Sequence, residues 1–156
     1  LDINPVAEVK TFQTFYTGAE NGIIDGCDYV IDAIDTVSSK ITLVQEAQGK
    51  NIPIISSMGC GNKLDPFKFQ IADIYNTSVC PLCRVMRYEL RRRNVKNLKV
   101  LYSTEKPLHI IENTQEKPKS GKTQVPGSVS WVPSVAGLII AGEVIKELTS
   151  FNSLEN

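Results

Sequence analysis

Two carboxylates three residues apart, Asp32 and Asp35, carry the strongest chemical signal, in the run Tyr29-Val30-Ile31-Asp32-Ala33-Ile34-Asp35-Thr36. The run is short and mostly apolar, and a helical pattern begins directly after it. Both acids therefore fall near the point where a strand gives way to a helix. At the carboxyl edge of a parallel sheet such a position faces the crevice in which open α/β proteins hold ligands. A carboxylate there is a hard oxygen ligand suited to magnesium, which neutralises nucleotide phosphates during attack at phosphorus. Asp35 is the leading candidate for that role. The competing reading is local: Asp35 or Thr36 accepts a hydrogen bond from an early helix amide. Asp32 alternates onto the face of Val30 and Ile34, where a buried carboxylate needs a partner.

A second group is Cys80-Pro81-Leu82-Cys83. Thiols two residues apart serve zinc or redox chemistry. A structural zinc site wants four ligands, and the chain has no cysteine after Cys83. At a helix amino terminus the pKa of Cys80 can fall, which makes it a candidate nucleophile; the alternative is an unreactive thiol near a helix start. Arg84, Arg87 and Arg91 share one face of the helix that follows, and Arg92, Arg93, Lys96 and Lys99 extend the positive charge. A phosphate backbone can dock there with strong salt dependence. A solvated face paired with nearby acids is the equal alternative. His109 has no acid or nucleophile beside it, and Gly121-Lys122-Thr123 lacks the first glycine and preceding strand of a phosphate loop.

The elements that must position these residues follow from periodicity. Val6 to Tyr16 alternates partially and predicts a strand. Tyr29 to Ile34 reads as a central strand covered on both faces. Ile41, Val44 and Ala47 recur at helical spacing over 37–48, with Gly49 placed as a left-handed stop. Ile52 to Ser57 is a further strand, with Pro53 near its start, where a missing donor costs least. Strand, helix, strand makes a crossover with parallel strands. Beyond it the pattern predicts a strand at 67–74, a helix at 81–93, a strand at 98–103 and a helix at 133–148, with Trp131 anchored in the core. Residues 104–127 are rich in lysine, proline, glutamate, serine and glycine, which predicts a mobile loop. The tail 151–156 is expected to fray.

The bulk properties narrow the class. The chain has 156 residues, enough for one core, and 17 basic residues balance 17 acidic ones. Net charge therefore argues for neither a polyanion partner nor a membrane surface. No stretch reaches the roughly 20 apolar residues that span a bilayer, so a soluble, cytoplasmic protein is expected. Four cysteines are too few to suggest a disulfide framework.

Four stretches together carry a resemblance over nearly the whole chain: Ile3-Asn4-Pro5; Asp32-Ala33-Ile34-Asp35 with Lys40 beyond; Ser57-Met58-Gly59; and Val132-Pro133-Ser134-Val135-Ala136-Gly137. The chain resembles the superfamily of ubiquitin-activating and molybdopterin- or thiamine-pathway adenylating enzymes. Within it, Phe69 to Ile74, Thr77-Ser78-Val79-Cys80-Pro81-Leu82 and Leu98 to Glu105 are most similar to the tRNA threonylcarbamoyladenosine dehydratases. The resemblance implies an α/β fold, a Rossmann-like mixed sheet flanked by helices. It also implies that residues 1–150 are the carboxyl-terminal part of one adenylating domain, without its glycine-rich nucleotide-binding half. ATP and magnesium are the implied cofactors, with Asp35 as catalytic and magnesium-binding aspartate and Lys40 as a basic residue at the nucleotide. Implied partners are tRNA, a second copy in a homodimer, and a possible sulfur-transfer protein. The implied reaction is adenylation of the threonylcarbamoyl carboxylate followed by ring closure. Two alternatives stay open: an adenylyltransferase for a ubiquitin-like sulfur carrier, and a non-catalytic dimerisation or docking module. The resemblance places the phosphate loop and catalytic arginine and lysine upstream of Ile3, so this polypeptide alone is expected to be inactive.

Overall fold

A computed structural model describes residues 3–18, 22–108 and 126–149. The expectations for His109, the Gly121-Lys122-Thr123 stretch, the middle of the 104–127 segment and the tail lie outside the described residues.

Four strands form one sheet: β1 (Val30–Asp32), β2 (Ile54–Ser57), β3 (Phe69–Asp73) and β4 (Lys99–Ser103). The order is β1-β2-β4-β3, with β1, β2 and β4 parallel and β3 antiparallel to β4. Three helices flank it: α1 (Val37–Gly49), α2 (Pro81–Arg92) and α3 (Trp131–Leu148). The Rossmann-like mixed sheet expected from the sequence is therefore what the chain forms.

Strand alternation divides the core in two. Val30, Ile54, Val100 and Tyr102 pack with Val44 and Ala47 of α1 and with Met86 and Leu90 of α2. Ile55 and Leu101, one residue out of phase, pack with Ala136, Ile140 and Val144 of α3. The period of two in the strands thus assigns each helix to a face. α2 buries Cys83, Met86 and Leu90, a stripe at helical spacing.

The crossover from β1 through α1 to β2 is closed at its far end by Asn51 rather than Gly49. Gly49 is still helical, whereas Asn51 takes φ 56 and the Ile52 amide bonds the Ala47 carbonyl at 2.8 Å. This six-to-one closure ends a helix through a left-handed residue, a place that asparagine fills readily.

Two further expectations differ. Residues 6–16 form no strand: Val6, Val9, Phe12 and Phe15 are all exposed, and alternation without a neighbouring strand supplies no ladder of hydrogen bonds. Trp131 is also exposed, although its indole N–H donates to the Leu64 carbonyl at 2.9 Å. It fastens the start of α3 to the loop after β2 from outside the core. Asn62, in the same loop at φ 57, exchanges hydrogen bonds with Gly127 and accepts from the Leu108 amide at its carbonyl. The loop therefore holds both flanks of 109–125 and fixes where α3 begins.

Candidate functional site

The carboxyl ends of β1 and β2 and the first turns of α3 enclose a crevice of about 340 Å³ lined by Asp35, Ser57, Gly59, Cys60, Pro133 and Gly137 among others. A hollow of about 510 Å³ lies at the other end of the sheet, beside Tyr29, Pro53 and Lys99. Size does not choose between them. Ligand binding at the carboxyl edge of parallel strands does, because loops there diverge and leave a gap.

Asp35 stands at that edge, exposed, and forms no side-chain hydrogen bond among the described residues. Thr36 is the residue preceding α1, and no side chain caps the helix. The local alternative, in which Asp35 or Thr36 is consumed by an early helix amide, is therefore not realised. A carboxylate free at the lip of a crevice suits a magnesium ion that draws most of its other ligands from phosphates and water. Among the described residues no group of three or more His, Cys, Asp or Glu side chains is placed to hold a metal by itself.

Asp32 and Lys40 form a separate unit. Asp32 is fully buried and Lys40 is 1% exposed, with Nζ 2.9 Å from the Asp32 carboxylate and 3.2 Å from Ser56 Oγ. The Ser56 hydroxyl and the Ile34 amide also donate to Asp32. The buried carboxylate predicted to need a partner has three. Lys40, expected at the nucleotide, is among the residues that line the crevice, and its ammonium is paired with Asp32. The cause is burial: a lysine charge sealed beneath the sheet edge requires an anion at contact distance.

Cys80 and Cys83 are both buried and both reduced. A hydrogen bond from Cys83 lowers the pKa of Cys80 to about 6, helped by the first amides of α2 and by Lys63, while Cys83 is pushed up by the same partnership and by burial. Lys63 has no counterpart in the sequence reading. It is 3% exposed and its ammonium donates to the carbonyls of Gly59 at 2.9 Å and Gly61 at 3.5 Å. Gly59-Cys60-Gly61 in its own loop was the available signal, since glycines leave carbonyls open to a side chain that doubles back. Burial raises the Cys60 thiol, and Lys63 partly opposes this.

The three arginines of α2 are not equivalent. Arg87 is drawn to the loop before the helix, where it donates to the Thr77 carbonyl at 3.1 Å and to its hydroxyl. Arg91 lies over the Tyr75 ring at 5.0 Å, and Arg84 is exposed. Arg93 and Arg92 pair with Glu89 at 2.5 and 3.7 Å. Arg84 and Arg91 therefore remain the exposed cations of the predicted face, and Arg87 is turned from solvent toward the Thr77 loop.

A Rossmann-like mixed sheet with a crevice at the carboxyl ends of its parallel strands defines a class of α/β proteins. Within that class this chain belongs to the ThiF family, whose model it matches over residues 1–156. It is 42% identical over 156 residues to tRNA threonylcarbamoyladenosine dehydratase of Bacillus subtilis (strain 168), covering 94% of this chain and 61% of that protein. Identity to tRNA threonylcarbamoyladenosine dehydratase 2 of Saccharomyces cerevisiae is 35% over 108 residues, covering 68% of this chain and 24% of the relative. Among solved structures, E. coli tRNA N6-threonylcarbamoyladenosine dehydratase in complex with ATP superposes with a TM-score of 0.80 at 24% identity, covering 99% of this chain and 62% of that one. The fold is thus shared, and the chain spans about three-fifths of the length of the Bacillus relative.

Proposed function

We propose that the chain is the part of an ATP-dependent tRNA threonylcarbamoyladenosine dehydratase that closes one side of its nucleotide crevice. The observation that carries this reading is Asp35, an exposed carboxylate at the carboxyl edge of β1, in a chain 42% identical to a protein of that name. Asp35 would hold a magnesium ion, which would offset phosphate charge; the threonylcarbamoyl carboxylate attacks the α-phosphorus and pyrophosphate leaves. Adenylation makes the carboxylate oxygen a good leaving group, and attack from within the same group closes the ring. The Asp32–Lys40–Ser56 unit keeps β1 and β2 in register beneath the crevice. Lys40 acts through this positioning, and Cys80 is not needed for ring closure.

The whole protein acts as a homodimer in the cytoplasm, with tRNA docked along Arg84 and Arg91. No described helix is long and apolar enough to cross a membrane. The test is AMP release by the full-length protein from labelled ATP, with tRNA that carries threonylcarbamoyladenosine compared against tRNA lacking it and against a ubiquitin-like sulfur carrier. Stimulation by the modified tRNA is expected; stimulation by the carrier alone overturns the reading.

A further inference from the structure

Cys80 and Cys83, both buried, occupy the residue before α2 and its third position, two places whose side chains adjoin at a helix start. No carboxylate or histidine joins them in a metal-binding group among the described residues. The pair thus lacks the further ligands of a zinc site but has the spacing and contact that two-electron thiol chemistry uses.

Three neighbours favour that chemistry. Lys63, buried and bonded to backbone carbonyls, places a positive charge near Cys80. Cys80 is the residue at which α2 begins, so the free amides of the first helical turn lie on its side. On the other side, the Cys80 amide bonds the Ser78 carbonyl at 2.6 Å across Val79, which has φ 63. A three-residue turn with a left-handed centre is rare and strained, the more so for a β-branched residue. Val79 and Ser78 are exposed, whereas Cys80 is 2% exposed. This exposed turn adjoins Cys80 in the chain, and its strain makes it a cheap neighbouring element to open.

We infer that Cys80 and Cys83 are a redox pair that closes reversibly to an intrachain disulfide by exchange with a small-molecule disulfide. The Cys80 thiolate attacks one sulfur of the disulfide, forms a mixed disulfide and expels one thiolate. Cys83 then attacks Cys80 Sγ and expels the second; the departing thiolates take up the protons. Two cysteine thiols are oxidised and one external disulfide is reduced to two thiols. Cys80 is the attacking residue because it stands at the helix start beside the strained, exposed turn, and Cys83 resolves because its place one turn into α2 is next to it.

The test is equilibration of the full-length protein at pH 7 in oxygen-free mixtures of glutathione and glutathione disulfide, followed by acid quench, alkylation and peptide mass analysis. The peptide containing Cys80 and Cys83 is expected to lose two hydrogens as the disulfide fraction rises, and to regain them with dithiothreitol. Exposed Cys27 acquires glutathione instead and reports that oxidant was present. In Cys83→Ser, glutathione is expected to accumulate on Cys80. The proposal is overturned if both thiols stay alkylatable while Cys27 is modified, if Cys80 links to Cys60, or if the pairing appears only after denaturation.

Discussion

Asp32 and Asp35 are three residues apart, yet one is buried against a lysine and the other is open to water. The difference predicts opposite phenotypes. Asp35→Asn keeps shape and removes a charge that no folded-state partner uses, so stability should change by less than about 0.5 kcal/mol. AMP formation by the full-length protein should fall by roughly 100-fold or more, as losses of transition-state charge stabilisation do. Normal turnover by this variant would remove Asp35 from the nucleotide site. Asp32→Ala strands the Lys40 ammonium in the core and should cost about 3–5 kcal/mol in urea unfolding. Adding Lys40→Met to it should recover most of that loss, because the stranded charge is then gone. Cys80, with its pKa lowered to about 6, should show thiolate absorbance at 240 nm rising through that pH. Cys83→Ser should move the transition upward, since the Cys83 hydrogen bond is its largest cause. Because the folded pKa lies below the ordinary thiol value of 9.0, this ionisation contributes stability fully present above 9 and lost as pH falls through about 6.

At the scale of elements, the start of α2 combines two local signals that oppose each other. Pro81 sits in the first turn, where its fixed φ favours the helix. Val79, two residues earlier, holds a left-handed conformation that valine resists. Val79→Gly should therefore stabilise the protein by about 1 kcal/mol, less the extra unfolded-state freedom of glycine; thermal unfolding would measure it, and destabilisation would show that the valine side chain is needed for packing. Such features mark what could and could not be read from sequence. Strands β2 to β4 and all three helices were legible because their apolar periodicity meets packed neighbours; β1, read as central and covered on both faces, stands at the edge of the described sheet with Ile31 exposed. Asp35 was legible as a strand-end acid. The partnership of Asp32 with Lys40 was not, although both residues had been singled out, because the contact depends on how α1 rotates over β1 and β2. Lys63 was missed since its partners are carbonyls, which carry no residue identity. The strand expected at 6–16 failed because alternation reports a face only when another strand is present to pair with it.

These 156 residues have no net charge, so any attraction of this part to a polyanion must come from an uneven distribution rather than from its total. Helix α2 supplies it, but only in part. Glu89 offsets one positive charge, pairing with Arg93 at 2.5 Å and more loosely with Arg92 at 3.7 Å, and Arg87 is committed to Thr77. Among the described residues of α2, the exposed cations without a carboxylate partner are Arg84 and Arg91, the latter braced by the Tyr75 ring, and exposed Lys96 follows the helix. A phosphate backbone that docks here releases about one counterion per phosphate neutralised. Arg84→Ala with Arg91→Ala should thus weaken tRNA binding to the full-length protein and make the slope of log affinity against log salt shallower by about 2. Arg92→Ala should change the slope by less than the double variant, because Glu89 opposes part of its charge. If Arg92→Ala and the double variant reduce the slope alike, positive charge on α2 acts as a diffuse field and the two singled-out arginines are not the contacts. If neither does, tRNA approaches from another side and the arginine face is a solvated one.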